Sequence, residues 1–406
     1  MTRPVSALMR PLRIAMLTHS VNPRGGVVHA LQLAESLQAL GQETTLFAPD
    51  ARGRGLFREA ACGFHPVPGS VHCADVVDMV RQRIDDYLRC FEQPGMDRFD
   101  LYHAQDSISA NALATLVARG VIPGYVRTVH HLDQFDDLRL HAWQERGYRA
   151  ADRLLCVSRT WQDILAREHG VRAELVSNGV DLQRYTATPA VQAAQRDPLL
   201  RQRLGLDGAP VLLAVGGVEP RKNTLGILRA FLRLRRVYPQ AQLVIAGGAS
   251  VLDHADYQRS FQDELQAADL PPGALRILGQ VPDADMPVLF RCADALVFPS
   301  LKEGFGLVVL EAMASGVPAV VSRIAPFTEY LDGGCCAWVD PQDPASIAAG
   351  IAHALDPAGR AAMVAAGQAI CARFSWSRSA RRHLELYHDY LGQRAPSATP
   401  QEEHHA

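Results

Sequence analysis

The sequence lacks any long apolar run, any excess of one charge and any dense set of cysteines. No stretch of about 18 consecutive apolar residues occurs in the 406 residues, which argues against a membrane-spanning helix. Residues 1–11 contain Arg3 and Arg10 but no apolar segment of the kind that a signal peptide needs, so secretion is not expected. The formal net charge of −2 gives no overall attraction to polyanions, so we expect no nucleic-acid partner.

The cysteines are few and scattered. Of the eight cysteines, only Cys335 and Cys336 are adjacent, and no pair has the CxxC spacing of a zinc or redox site. This pattern favours reduced thiols in a cytoplasmic protein. Peripheral contact with the inner face of a membrane stays open.

The chain does contain enough apolar sequence for two buried cores, with 48% hydrophobic and 21% charged residues. Short apolar runs bounded by Gly, Pro and Asp alternate with amphipathic segments, which is typical of a parallel sheet covered by helices. The sequence therefore predicts the α/β class. In the first half the predicted strands are 12–17, 44–47, 101–104, 125–129 and 154–157, with helices such as 28–40 and 108–118 between them.

A polar segment with three prolines, residues 185–210, interrupts this alternation, and we place the domain linker at its start. The pattern then restarts with predicted strands at 211–215, 243–246, 274–278, 295–298 and 319–321. This predicts an N-terminal domain over 1–190 and a second domain over 191–376. The last residues, 395–406, contain no large apolar side chain and are predicted to be disordered.

A pair of glycines follows the first predicted strand of each half, Gly25-Gly26 in one and Gly216-Gly217 in the other. Two similar domains that face each other would form a cleft at the carboxyl ends of their strands, where open sheets bind ligands. Neither pair completes GxGxxG, so the dinucleotide-binding interpretation is weak.

Residues 299–307 lead from a predicted strand into a helix that continues through Glu311 to about Ser315. A glycine-rich turn before a helix exposes backbone N–H groups to an anion such as phosphate, although the same glycines also suit a plain tight turn. Glu303 precedes the helix and Glu311 lies about one turn inside it. The two carboxylates are thus predicted to have separate roles and not to form a close pair.

Arg221 and Lys222 follow the strand 211–215 at another predicted helix start. Two cations there could neutralise a diphosphate leaving group, Arg as a bidentate donor and Lys as a point charge. The alternative is an ordinary solvated helix start. Cations at a helix N-terminus oppose the helix dipole, however, so a bound anion would explain them better.

These motifs together resemble those of glycosyltransferase family 4. Glu303-Gly-Phe-Gly through Glu311 matches that family's signature of two glutamates separated by seven residues, and Glu219-Pro-Arg221-Lys222-Asn matches its diphosphate motif. The looser matches in the first half are Gly25-Gly26-Val27, Thr128-Val-His130 and Ser177-Asn178-Gly179-Val180-Asp181. The resemblance runs from about Leu12 to Leu391. The pattern of the whole chain is similar to a bacterial subfamily whose acceptor is unassigned.

The resemblance implies a GT-B fold, with two Rossmann-like αβα domains, a cleft between them, and a last helix over about 377–394 that crosses back to the first domain. On the donor side, Arg221 and Lys222 would hold the diphosphate, Glu311 the ribose hydroxyls and Glu303 the donor sugar. The implied backbone contacts to the donor come from Gly26, Val281, Phe305, Gly306 and Leu307.

On the acceptor side, the resemblance places His130 beside the anomeric centre. His131, Asp106 and Asn178 are further candidates for acceptor contacts. Each has a structural alternative: a hydrogen-bonded residue at a strand end for the histidines, and an N-cap of the helix 108–118 for Asp106. The motif Asp283-Ala-Asp285 imitates a metal site of another glycosyltransferase fold, but the following Met286-Pro287 favours helix capping, so no metal is predicted.

The implied activity is transfer of a hexosyl group with retention of configuration, independent of metal and of any cofactor. The donor would be a nucleotide-diphosphate sugar, with a UDP-sugar favoured, and the acceptor a small molecule, glycan or lipid. Three alternatives stay open, namely a nucleotide-sugar 2-epimerase of the same fold, a phosphorylase-like enzyme and a regulator that binds nucleotide sugars without catalysis.

Overall fold

Seven parallel strands, separated mainly by helices, form the first domain. The computed structural model describes residues 10–69, 73–96, 98–190, 195–248, 254–332 and 334–394. The first domain comprises β1 (Arg13–Leu17), α1 (Gly25–Ala39), β2 (Glu43–Pro49), β3 (Gly63–Val67), α2 (Val76–Phe91), β4 (Leu101–Ala104), α3 (Ser107–Ala118), β5 (Val126–Val129), α4 (Leu138–Arg149), β6 (Arg153–Cys156), α5 (Arg159–Arg167) and β7 (Glu174–Leu175). The strands lie in the order β3-β2-β1-β4-β5-β6-β7.

A second parallel sheet, with six strands in the order β10-β9-β8-β11-β12-β13, repeats this arrangement. Its part of the chain comprises α6 (Arg196–Leu204), β8 (Val211–Val215), a 3₁₀ turn (Pro220–Lys222), α7 (Thr224–Leu234), β9 (Gln242–Ala246), α8 (Ala255–Ala267), β10 (Leu275–Gly279), a 3₁₀ turn (Asp283–Asp285), α9 (Met286–Arg291), β11 (Ala295–Phe298), α10 (Leu307–Ala314), β12 (Ala319–Ser322), α11 (Phe327–Tyr330), β13 (Ala337–Val339), α12 (Pro344–Leu355), α13 (Pro357–Cys371) and α14 (Trp376–Arg394).

The central strands confirm the α/β prediction. Helices cover both faces of a parallel sheet, so the central strands of the second sheet consist almost wholly of apolar residues, as the buried β11 and β9 show. The three strands that the sequence did not predict, β3, β7 and β13, all lie at sheet edges. Edge strands are short and less apolar: β7 has two residues and β3 includes a proline, so their local signal is weak.

The last helix, α14, returns to the first domain and packs against α1, as the resemblance predicted. The buried Tyr387 hydroxyl lies 2.7 Å from Nδ1 of His103, which is in β4. Two segments of the chain therefore cross between the domains, and they run side by side. The N–H of Val180 donates to the Phe374 carbonyl at 3.1 Å, and Val180 forms a parallel bridge with Ser375.

The carboxyl ends of both sheets face a common cleft, and the loop that follows β11 touches the first domain there. A Cβ atom on Gly304 would clash with the carbonyl oxygen of His130, which follows β5, so only glycine allows this approach. The Trp161 indole N–H, on α5, donates to the Glu303 carbonyl at 3.3 Å. The loop that carries Glu303 is therefore held by both domains.

Some predictions concern parts of the chain that the structure does not describe. The predicted domain boundary at 190 adjoins residues 191–194, and the predicted tail is 395–406; both segments lie outside the described residues. Among the described helices, none is both long and apolar enough to span a bilayer.

Candidate active site

A cleft lies between the two domains, and its volume, open solvent included, is about 950 Å³. The first domain contributes the start of α1 and the segment 179–185, and the second contributes the ends of β8 and β9 and the start of α10. Among the predicted donor contacts, Val281, Leu307 and Glu311 line this cleft directly. Val281 follows β10, whereas Leu307 and Glu311 lie in α10, and the fold brings them together.

Gly306 sets the start of α10. Its φ of +93° lies in the region that favours glycine, and a Cβ atom there would clash with the ring of Phe327. Because glycine has no side chain that could cap the helix, backbone N–H groups of the first turn remain available to an anion. Phe305 fixes the turn: its ring stacks on Tyr330 with centroids 4.8 Å apart, and the Tyr330 hydroxyl donates to the Phe305 carbonyl at 2.9 Å.

Glu303, Lys222 and Arg221 form one ion-pair cluster. Oε1 of Glu303 accepts from Nζ of Lys222 at 2.6 Å and from Nη1 of Arg221 at 2.9 Å. Arg221 also reaches Glu219, with Nη2 3.2 Å from Oε1. Nζ of Lys222 lies 4.4 Å from the centroid of the Phe298 ring, which adds a cation–π contact. Glu303, which is predicted to bind the sugar, is thus in direct contact with the two residues predicted to bind the diphosphate.

Burial and the neighbouring charges together set the pKa values of Glu303 and Lys222. Burial alone would raise the pKa of Glu303, but the charges of Lys222 and Arg221 outweigh burial and hold that pKa below its usual value. Burial is the main reason that the pKa of Lys222 is lowered; Glu303 opposes this effect and Arg221 adds to it. We take both groups as ionised near neutral pH, because each offsets the desolvation of the other.

Glu311 lies on the wall of the cleft, one turn into α10. Burial raises its pKa to about 7, an effect that Asp283 strengthens and that Arg184 and the Tyr185 hydroxyl oppose. A carboxyl group with this pKa is half protonated near neutral pH. It can then accept from ligand hydroxyl groups when ionised, and a ligand that donates to it favours the ionised form.

His130 belongs to a cluster of four histidines, which we call the histidine cluster: His29, His103, His130 and His383. The ring centroids of His29 and His130 are 4.6 Å apart, and those of His103 and His383 are 6.0 Å apart. Burial, with smaller effects from His29 and Arg127, lowers the pKa of His130 well below its usual value. His130 is therefore neutral at neutral pH, and its Nε2 lies 3.0 Å from Oε1 of Gln105.

The acceptor-side candidates occupy two places. Asp106 and His131 both follow first-sheet strands, β4 and β5, at the edge that faces the cleft. Asp106 is also the N-cap of α3, since its side chain accepts from the Ser109 N–H at 2.9 Å. Asn178 does not join them, because it is buried and its Oδ1 lies 2.8 Å from Nδ1 of His29. Gly26 lies beside the His130 ring.

Both aspartates of the Asp283-Ala-Asp285 motif form ion pairs with arginines. Asp283 pairs with Arg184 at 2.6 Å, and Asp285 pairs with Arg196 at 3.1 Å. The capping interpretation of Asp285 is wrong: it stands at the N-cap position of α9 but its side chain caps no backbone N–H. Within the residues that the structure describes, no group of three or more His, Cys, Asp or Glu side chains is arranged to hold a metal ion.

Several residues of the site belong to no motif in the sequence. Gln105 was visible beside Asp106 after a predicted strand, so the alignment of strand ends could have indicated it. Trp161 and Glu329 had no local signal, because their partners are Glu303 and the start of α5 on the opposite domain. Contacts between domains depend on chain segments far apart in sequence.

Comparison with known families assigns each domain. The family described as Glycosyltransferase Family 4 matches residues 23–184, and the family described as Glycosyl transferases group 1 matches residues 197–368. Curated relatives extend over almost the whole chain. A D-inositol 3-phosphate glycosyltransferase of Salinispora arenicola is 27% identical, covering 96% of this chain and 94% of that protein.

A phosphatidyl-myo-inositol mannosyltransferase of Mycobacterium tuberculosis is 29% identical, over 94% of this chain and 98% of its own. Among solved structures, sucrose-phosphate synthase from Thermosynechococcus elongatus is similar with a TM-score of 0.75 and 21% identity, covering 94% of this chain and all of that one. HepE of Anabaena, in complex with UDP-glucose, has a TM-score of 0.73 and 18% identity, covering 93% of this chain and 100% of that one. These structural likenesses confirm the predicted GT-B fold.

Proposed function

Because the chain is a glycosyltransferase and belongs to family 4, we propose that it transfers a sugar from a nucleotide-diphosphate sugar to an acceptor with retention of configuration. The proposal includes independence from metal ions, and a UDP-sugar as the first donor to test. The donor would lie along the second-domain wall of the cleft, with the base near Val281 and the ribose at Glu311. The reacting sugar would lie between Glu303 and His130.

The observation that carries the proposal is the ion-pair cluster beside the start of α10. Two cations, Lys222 and Arg221, converge on one carboxylate oxygen of Glu303. A diphosphate offers more acceptor oxygens than a carboxylate and binds Arg in bidentate fashion. We expect it to take over both cations, which frees Glu303 to accept from hydroxyl groups of the donor sugar.

In the reaction that follows, the bond between the anomeric carbon and the phosphate oxygen breaks, and a bond from the acceptor oxygen forms on the same face. The acceptor's proton passes to the departing phosphate oxygen. Lys222, Arg221 and the N–H groups at the start of α10 stabilise the charge that develops on the diphosphate. The neutral His130 serves as a hydrogen-bonding group at the sugar and not as a cation.

The residues favour this course over a double displacement. A retaining glycosidase uses a free carboxylate nucleophile with a second carboxyl group about 5 Å away. Here Glu303 is bound by two cations, and Glu311 lies on the cleft wall beside Tyr185. The ion pairs of Asp283 and Asp285 with arginines support independence from metal, because these carboxylates already have cationic partners. Undiminished transfer in the presence of EDTA tests that part.

The proposal predicts that Lys222→Met and Glu303→Gln each lower kcat about a hundredfold or more, the usual cost of losing one group that stabilises the transition state. Arg229→Gln, at an exposed pair with Glu264 on α7 and α8, is the matched control and should keep normal activity. Thermal unfolding of each variant verifies the fold. Near-normal transfer in both site variants would refute the proposed roles.

A panel of UDP, GDP and ADP sugars separates this function from its alternatives. A transferase releases free nucleotide and gives a new glycoside only with acceptor, and NMR coupling constants of that glycoside report its anomeric configuration. A 2-epimerase gives an altered nucleotide sugar without acceptor, and a regulator binds the donor without turnover. An inverted product would contradict the retaining mechanism.

A further inference from the structure

We propose that the first-domain side of the cleft binds an acceptor that carries a phosphate group on a polyol, with Arg83 and His19 beside the phosphate and Asp106 beside a hydroxyl group. This inference rests on the proposed function and specifies its acceptor. The phosphate can belong to a soluble polyol phosphate or to a lipid headgroup, because both present anionic phosphate oxygens next to polyol hydroxyl groups. Arg83, His19 and Asp106 have no role in the proposed donor binding.

Arg83 is a half-buried cation fixed by the backbone. It projects from α2, and its Nη1 donates to the His19 carbonyl at 2.9 Å, just beyond the end of β1. Among the described residues no carboxylate lies within 4.0 Å of it; the charge of Asp86 on the same helix acts on it from further away, and Asp86 pairs directly with Arg89. Guanidinium N–H donors that no carboxylate contacts are available to an anion such as phosphate. Its position above a strand end matches that of a ligand-binding group.

His19 and Arg24 lie in the same region. The His19 side chain is 24% exposed; burial lowers its pKa, Asp106 opposes this effect, and the positive charges of Arg83 and Arg24 add to it. Arg24 precedes α1 and also interacts with Glu219, which belongs to the motif of Arg221. Arg24 therefore connects the region of Arg83 and His19 with the proposed diphosphate site. An acceptor held there would be next to the anomeric centre.

Asp106 supplies the complementary feature. Its Oδ1 caps α3, but its buried Oδ2 has no hydrogen-bond partner in the described part of the chain. Nδ1 of His19 lies 3.8 Å from this oxygen, too far for a hydrogen bond. A buried carboxylate oxygen without a donor is unfavourable, and a hydroxyl group of the acceptor would satisfy it. A cation beside a free carboxylate oxygen fits a ligand that carries both an anion and a hydroxyl group, as a polyol phosphate does.

A binding experiment tests the inference. The affinity of myo-inositol, glucose and glycerol is compared with that of their monophosphates by calorimetry, with saturating nucleoside diphosphate to occupy Arg221 and Lys222. We expect at least one monophosphate to bind about tenfold more tightly than its parent, as a charge-assisted contact allows. Arg83→Met should remove that difference and leave the affinity for nucleoside diphosphate unchanged.

Matched variants make the result specific. Arg81→Met removes an exposed arginine of the same helix, paired with Asp78, and should keep the phosphate preference. Asp106→Asn keeps an N-cap acceptor but replaces the free oxygen. It should therefore weaken the binding of both the polyol and its monophosphate. The second arm measures binding of the protein to phosphatidylcholine vesicles with and without phosphatidylinositol. If the protein binds only the vesicles with phosphatidylinositol, and this binding depends on Arg83, the phosphate belongs to a lipid headgroup.

Either a soluble monophosphate or a phosphatidylinositol vesicle that binds through Arg83 supports the inference. It is overturned if no phosphorylated form binds more tightly than its parent in either arm, or if the preference survives in Arg83→Met. Failure of the protein to bind any nucleoside diphosphate or nucleotide sugar refutes the proposed function instead. The two failures are therefore distinguishable.

Discussion

At the scale of single residues, Glu311 connects donor binding to pH. Its carboxyl group has a pKa of about 7, raised mainly by burial, and the proposed ribose contact requires the ionised form. The affinity for donor should therefore be constant at alkaline pH and fall as the pH drops through 7, by up to about tenfold per pH unit. Calorimetry with an intact nucleotide sugar measures this.

The control for this prediction is Glu311→Gln. Glutamine does not titrate, so the variant should bind the donor more weakly at alkaline pH but with little dependence on pH. A wild-type affinity that stays flat between pH 6 and pH 8 would exclude Glu311 from the ribose contact.

The predictability of the site also differs from residue to residue. Strand-end motifs predict Glu303, Lys222 and Glu311 as site residues without a structure, because glycine-rich turns and charges at helix starts are local signals. The ion pair of Glu303 with Lys222 was not predicted, since 81 positions separate them and local sequence does not record which loops meet. Asp285 shows the reverse, because its local helix-capping signal was overridden by Arg196, a partner distant in sequence.

At the scale of elements, helix α5 joins the two domains through its N-terminus. The carboxylate of Glu329, on α11, accepts from the N–H groups of Arg159 and Thr160, both at 2.7 Å. Glu329→Gln removes the negative charge that complements the helix dipole, an effect of about 1 kcal/mol. We expect the KM for donor to rise about threefold to tenfold while kcat stays within about twofold, because contact between the domains becomes less favourable.

Steady-state kinetics with the best donor of the panel measures this effect. Glu385→Gln, on the exposed face of α14, removes a comparable surface carboxylate and should leave the KM unchanged. An unaltered KM in Glu329→Gln would show that this contact between the domains has no part in donor binding. The elements themselves were largely predictable, apart from the edge strands, because burial on both faces leaves a strong apolar pattern.

At the scale of the whole molecule, the histidine cluster should make the fold sensitive to acid. Burial lowers the pKa of His29 to about 3 and that of His383 to about 4, and holds those of His103 and His130 well below the usual value. The unfolded chain binds protons below about pH 6.5, while these folded groups do not. Stability is therefore retained above that pH and lost below it, by up to about 1.4 kcal/mol per pH unit for each histidine.

Urea unfolding at a series of pH values between 7.5 and 5 measures this loss. His383→Gln should reduce the dependence of unfolding free energy on pH by about one histidine's share. The exposed His353 provides the control, and His353→Gln should leave the dependence unaltered. Equal stability of the wild-type protein at pH 7.5 and pH 5 would contradict the prediction. The cluster was not predictable from the sequence, because α14 adds His383 to it from more than 250 positions beyond His130.

The two chain crossings at Val180 and Ser375 restrict how the domains can move. A single connecting segment would let one domain swivel and twist about the other in several directions. Here two crossings lie side by side and are hydrogen-bonded to each other, with Val180 joined to Phe374 and Ser375. Two crossings that are hydrogen-bonded to each other leave the domains fewer relative rotations than one free segment would, and we expect any opening of the cleft to turn about this pair. On that expectation, His130 and Glu303 would meet in the same alignment each time the cleft closes.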